Sequence, residues 1–259
     1  VPNTLLILAI GLGAGVLSGM FGVGGGVLTT PAIRLLLGEP ALTAVGTPLP
    51  VIIPTAIAGA IAYSRRGLAD VRAGLAIGAW GAVAAIGGAY ASSLAGGRAV
   101  MLVTAGLIGY MAADMIIGTV RGDSGRIVPF PEWHARRGTA LAVLGIVTGV
   151  YSGFLGLGGG FVLVPMLARV FGFTIKRAIG TSLVAIGVLS VPGSVAHWAL
   201  GHVDLGLAAG LVVGVVPGAL LGARVTAVAN ERHVRYGFSV LLVLAGVALA
   251  VNELGWAPW

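Results

Sequence analysis

The stretch SGMFGVGGGVLTTP, residues 18–31, places Gly19, Gly22, Gly24, Gly25 and Gly26 inside an otherwise apolar, helix-like run. Each glycine in a helix interior costs about 1 kcal/mol relative to alanine. Three in succession therefore mark a break in the helix. A second stretch, SGFLGLGGGFVLVP, occupies residues 152–165, with its glycines in register 134 positions later. The chain breaks its backbone twice, in the same way.

The surrounding composition says what solvent these breaks sit in. Of 259 residues, 58% are hydrophobic and 9% charged, and the mean hydropathy is +1.05. Soluble domains carry about 25% charged residues, so this chain cannot cover a water-facing surface and the lipid bilayer is its solvent. Helices and closed barrels alone satisfy their backbone there, and the segments lack the two-residue alternation of a barrel. The formal charge of +7 reads as cationic loops held at the cytoplasmic face, not as a nucleic-acid surface. With no cysteine, disulfides, thiolate chemistry and Cys-ligated metals are excluded. No His, Asp and Glu set has catalytic or metal-ligand spacing, so neither an enzyme nor a cofactor is expected. The first apolar run lacks a basic leader, and no cleavable signal is expected.

Apolar runs fall near 3–37, 43–64, 71–95, 99–118, 138–172, 178–199, 203–229 and 234–254. Six have the length of single crossings. The two that carry the glycines would each measure roughly 50 Å as one helix, too long for a hydrocarbon core of about 30 Å. Laid over each other at an offset of 134 without gaps, the two halves share 26 identities between Gly15 and Leu107. Among them are Thr47/Thr181, Asp70/Asp204, Gly88/Gly222 and Arg98/Arg232. The chain reads as a duplication: a first membrane repeat at 1–118, a polar cytoplasmic linker at 119–137 and a second repeat at 138–259.

Charge chooses between parallel and inverted repeats. If each glycine segment dips in and returns, each unit has three crossings and the repeats are inverted. Arg65, Arg66, Arg72, Arg121, Arg126, Arg136, Arg137, Lys176, Arg177, Arg232 and Arg235 then share one side, and Arg98 lies in a loop on the other. The positive-inside rule selects this arrangement, with both termini outside. The expected fold is an all-α polytopic membrane protein of two inverted repeats, each a re-entrant hairpin plus three transmembrane helices.

The arm before the first glycines could run roughly 25 Å and the arm after them roughly 16 Å, which puts the tip inside the membrane. Irregular backbone at that depth is tolerated only where protein buries it or water reaches it. Gly24, Gly25 and Gly26, with Gly158, Gly159 and Gly160, let another group approach the backbone closely. A short helix starts after each run, offering unpaired N–H groups and the positive end of its dipole to an anion. Thr47 and Thr181, with Ser182, Ser18 and Ser152, are candidate hydroxyl donors to the same anion. Outer glycines such as Gly15, Gly19, Gly145 and Gly149 read as close helix packing. Asp114 and Arg224 read as interfacial, Arg34 and Arg169 as snorkelling side chains, and His197, beside Trp198, as an interfacial position.

Paired SGxxGxGGG…P hairpins, each followed by A(V/I)GT, resemble the sulfite exporter TauE/SafE family of bacterial permeases over nearly the whole chain. The first copy departs from the second in having Pro48 where the second has Ser182. The resemblance implies a multi-pass protein of the bacterial inner membrane that moves sulfite, sulfoacetate or related organosulfonates. A secondary transporter working in export is the leading expectation, and an anion channel constricted at the glycine tips is the alternative. The expected partners are a small anion and the lipid bilayer, without nucleic acid, and a homodimer is compatible with the pattern.

Overall fold

The computed structural model describes residues 4–120 and 137–230, with positions 236, 237, 240, 243, 244, 246–248, 250 and 251 of the last segment. Linker residues 121–136, the rest of the 234–254 segment and the side chains of Asp114 and Arg169 lie outside the described residues. Every described element is a helix: α1 (Thr4–Phe21), α2 (Gly26–Leu36), α3 (Ala41–Gly46), α4 (Pro48–Ser64), α5 (Val71–Ala95), α6 (Gly97–Val120), α7 (Arg137–Leu155), α8 (Gly160–Phe171), α9 (Ile175–Ala199) and α10 (Leu205–Val228). Six apolar spans are long enough to cross a bilayer: α1, α3 with α4, α5, α7, α9 and α10. The chain is an all-α polytopic membrane protein.

From α1 to α5, elements recur at the 134-residue offset to within one residue at each end. One difference has a local cause. Residues 41–64 form two helices that meet at Thr47, whereas their counterpart α9 is continuous. Pro48 has no N–H to return to the preceding turn, and Ser182, at the equivalent position, has one.

Small residues hold the two halves together. A methyl on Gly11, Gly15 or Gly19 of α1 would strike the carbonyls of Leu211, Val215 or Ala219 on α10. A methyl on Gly145, Gly149 or Gly153 of α7 would strike those of Ile77, Gly81 or Ala85 on α5. The outer glycines are packing residues, as small-xxx-small spacing implies. Contact numbers rise together along both pairs, so α1 runs parallel to α10 and α7 parallel to α5. Gly74 and Gly78 of α5 meet Val184 and Val188 of α9, another parallel pair, while Gly59 meets Leu183 and Gly187 meets Ala56, an antiparallel one. Asp204 at the head of α10 meets Thr47 at the head of α4, and Tyr63 near the end of α4 meets Gly19 near the end of α1, so α1, α4 and α10 run one way and α5, α7 and α9 the other.

An ion-pair cluster gathers one end. Asp70 caps α5 by accepting from the Ala73 N–H at 3.0 Å. Its other oxygen receives Arg137 of α7 and Arg177 of α9, each at 3.0 Å. Burial pushes the Asp70 carboxyl upward, but the Ala73 N–H and the two guanidiniums outweigh it and hold the group below its ordinary value. Asp204, the counterpart, caps α10 through Leu207 N–H at 2.8 Å. Positions 3 and 43, equivalent to Arg137 and Arg177, are asparagine and threonine, so the equivalent positions supply Asp204 with no guanidinium.

Candidate functional site

Between α1 and α2, Gly22, Gly24 and Gly25 have φ values of 70°, 82° and 87°. Between α7 and α8, Gly156, Gly158 and Gly159 have 67°, 75° and 85°. Side chains with a Cβ are penalised in this region, which is why the two turns are written in glycine. Gly26 and Gly160 serve a different need. A methyl on Gly26 would lie 2.7 Å from Leu157 Cα, and one on Gly160 2.6 Å from Val23 Cα. The two tips therefore touch backbone to backbone, and residues 21–27 and 155–161 are all buried.

The hydrogen bonds leave a gap at each tip. Gly22 N–H closes α1 on Ser18 O at 2.8 Å, and the next donors with acceptors are Leu28 and Thr29, both to Gly25 O at 3.0 Å. In the second copy, Gly156 N–H meets Ser152 O at 2.9 Å, and Val162 and Leu163 resume on Gly159 O. Among the described residues, the N–H groups of Gly24, Gly25, Gly26, Gly158, Gly159 and Gly160 have no protein acceptor. Buried backbone donors are rarely left unpaired. Beside them, the fully buried hydroxyls of Ser18 and Ser152 also lack partners. Each gap sits at the N-terminus of a helix of 11 or 12 residues, where dipole and free N–H groups favour negative charge. Among the described residues no Asp, Glu, Lys or Arg is fully buried, and the hydroxyls of Thr30, Thr148 and Ser190 are likewise buried without partners, with Thr148 against Gly159.

Two isoleucines cover the gap. Ile52 lies midway along the Ala41–Ser64 span and Ile186 midway along α9, at equivalent positions of the repeat. A methyl on Gly24 would meet Ile186 Cδ1 at 2.8 Å and Ile52 Cγ2 at 3.0 Å, and one on Gly158 would meet Ile52 Cδ1 at 2.7 Å. The glycines thus leave room that these side chains fill. A groove of about 800 Å³ lies elsewhere, among Ile53, Ile57, Ile61, Val184 and Val191 on the outer faces of α4 and α9. None of the tip glycines lines it.

The predicted hydroxyl donors divide. Ser18 and Ser152 sit at the tips. Ser182 Oγ lies 2.8 Å from both Gly22 O and Ile179 O, bonding the first hairpin to α9. Thr47 and Thr181 are buried but tied elsewhere: Thr181 Oγ1 accepts from Asp70 N–H at 2.9 Å and Thr47 Oγ1 from Asp204 N–H at 3.1 Å. Each threonine pins the capping residue of the opposite repeat. Sequence reading passed over Ile52 and Ile186, although their identity across the repeat was a usable signal. It also placed His197 at an interface. Trp198 is 60% exposed there, but His197 is fully buried, because one step along a helix turns the side chain by 100° toward the core.

A family model described as sulfite exporter TauE/SafE matches residues 7–249. "Probable membrane transporter protein YunE" of Bacillus subtilis (strain 168) is 29% identical over 267 residues, covering 95% of this chain and 96% of that one. A "Probable membrane transporter protein" of Xylella fastidiosa (strain 9a5c) is 30% identical over 260 residues, covering 97% of each. No solved structure matches the chain. With six apolar spans, two of them leading into the paired glycine turns, the chain is a multi-pass membrane transporter and belongs to the sulfite exporter TauE/SafE family.

Proposed function

We propose that the chain is a secondary transporter that exports small sulfur-containing anions, sulfite or a short organosulfonate such as sulfoacetate, holding the anion between the two glycine tips. The observation that carries this reading is the pair of buried tips whose unpaired N–H groups and serine hydroxyls face no protein acceptor. A sulfonate or sulfite oxygen is an acceptor that suits them. The opposed courses of α1 and α7, and of α5 and α10, support repeats inverted across the bilayer, with the Asp70–Arg137–Arg177 end cytoplasmic under the positive-inside rule. An anion on that side is driven outward by about 2.3 kcal/mol per charge per 100 mV. Ile52 and Ile186 close the tips, so the anion enters only when one repeat tilts against the other and withdraws an isoleucine.

Counterflow of labelled sulfite in proteoliposomes tests the reading. Saturable exchange accelerated by sulfite or sulfoacetate on the opposite side is expected. Flux that never saturates would make the protein a channel, and absence of both flux and binding would overturn the anion reading.

A further inference from the structure

The two hairpins are held by different chemistry. At the end of α1, the Tyr63 hydroxyl donates to Gly19 O at 2.9 Å. At the equivalent place on α7, His197 Nε2 contacts Gly153 O at 2.6 Å. His197 Nδ1 in turn lies 3.2 Å from His202 Nδ1, and the rings are 5.3 Å apart. The counterpart of His202 is Leu68. One half therefore carries a tyrosine and a leucine, which stay neutral over the physiological range, and the other carries two imidazoles. Both are buried, His197 fully and His202 at 8% exposure.

Hydrogen-bond accounting fixes the protons. A carbonyl oxygen only accepts, so His197 carries its hydrogen on Nε2. Nδ1 of that neutral ring is then an acceptor, and His202 donates to it from its own Nδ1. His202 Nε2 is left as the basic nitrogen of the pair. One proton there keeps both bonds. A second, on His197 Nδ1, would set two donors face to face. The neighbouring elements add little charge. The segment Ala41–Gly46, whose Gly46 packs on His202, has no ionisable residue. Tyr151 is the titratable group in the last turns of α7 and is bonded to Gly159 O. Asp204 at the head of α10 has one carboxylate oxygen on Leu207 N–H. Arg98 opens α6 beside Gly97, which packs on Ala41, and Arg34 reaches Glu39 O at 3.1 Å. Burial pushes the His202 imidazolium below the ordinary histidine range, so the site fills on acidification.

We propose that His197 and His202 form a binding site for a single proton, and that its occupancy sets the hold on the α7–α8 hairpin without touching the α1–α2 hairpin. Gly153 stands three residues before Gly156, where the second tip begins. Loading the pair strengthens the donation through His202 Nδ1 and changes the His197–Gly153 bond, whereas Tyr63 on the other hairpin is indifferent to pH. A core without a fully buried carboxylate among its described residues thereby gains a proton ligand. Its link to anion movement rests on the transporter reading above, but the proton site itself does not.

The test is 15N NMR of the uniformly labelled full chain, in lipid nanodiscs, titrated from about pH 8 to about pH 5. His202→Leu and His197→Tyr, which install the residues standing at positions 68 and 63, assign the signals. The expected result is a fixed Nε2–H tautomer at His197, a fixed Nδ1–H tautomer at His202, and uptake of one proton at His202. Amide signals of residues 156–160 should shift with that uptake in the native chain and stay still in His202→Leu. Rings that exchange tautomers freely, two protons bound with the mutual bond intact, or tip shifts that persist in His202→Leu would each overturn the proposal. In proteoliposomes, the ratio of native to His202→Leu sulfite flux should change by up to about tenfold per unit of pH on the basic side of the titration, the substrate's own protonation being common to both. A ratio that ignores pH, with the titration as described, overturns the link to transport and leaves the anion reading intact.

Discussion

Neighbouring glycines of the first tip separate backbone strain from collision. Gly25 has φ 87°, and a methyl there would meet nothing closer than Ala14 O at 3.7 Å and Ser18 Cβ at 3.8 Å. Gly25→Ala therefore costs strain alone, about 1–2 kcal/mol. Gly26 is the reverse case: the added carbon would lie 2.7 Å from Leu157 C and Cα and 2.8 Å from Gly156 O. Carbon contacts relax at about 3.5–4.0 Å, so the tips must part by about 1 Å, an overpacking cost of about 1–3 kcal/mol. Each kcal/mol lowers the midpoint of a chain of this size by about 2–4 °C. Both variants should melt lower, and both should lose affinity for sulfite, because relieving the strain or parting the tips turns the unpaired N–H groups away. A loss of 1.4 kcal/mol in binding is about tenfold in Kd. Gly11→Ala is the control. It collides with Leu211 O on α10, and should lower the midpoint while leaving affinity unchanged. Calorimetric Kd and thermal midpoint are read on the same purified samples. If Gly25→Ala and Gly26→Ala behave like Gly11→Ala, the tips are packing surfaces and the anion cradle is refuted.

Thr47→Val and Thr181→Val remove acceptors from the part-buried Asp204 and Asp70 N–H groups and should each destabilise the fold by about 0.5–1.5 kcal/mol. Unfolding midpoints check this, and sulfite affinity should be kept in the variants that remain folded. Ile52→Ala with Ile186→Ala should unplug the tips and raise passive sulfite leak in proteoliposomes, together with some loss of stability. A leak equal to the native value would show that the isoleucines do not close the path. The Asp70 carboxyl sits below its ordinary value in the folded chain, so it stabilises above about pH 4 and that contribution fades as the pH falls through the folded value. Asp70→Asn should therefore lower the midpoint at neutral pH and make it less sensitive to acid. In a chain without cysteine, Arg66→Cys should resist an impermeant thiol reagent in intact cells and Ala95→Cys should react. The opposite pattern would reverse the proposed orientation.

Local and repetitive features were legible in the sequence. Hydropathy gave four of the six apolar spans, because a helix in lipid must satisfy its backbone within itself and stay apolar over a full crossing; α1 and α7, read as arms of re-entrant hairpins, also reach spanning length at 18 and 19 residues. The 134-residue register carried the element order, and three consecutive glycines announced a break that no helix absorbs cheaply. Side-chain partners were a different matter. Thr181 finds its donor 111 residues away at Asp70, and Thr47 finds its own 157 residues away at Asp204, so their hydroxyls looked free until the halves were brought together. The isoleucines over the tips read as ordinary core, since an apolar side chain carries no mark of what it covers. His197 looked interfacial because Trp198 beside it is, yet α7 packs on the adjacent face of α9 and buries it. Sequence determines what each segment can satisfy by itself; only the tertiary structure decides which group meets the polar atoms that remain, because those meetings depend on helix rotation and on contacts more than a hundred residues apart.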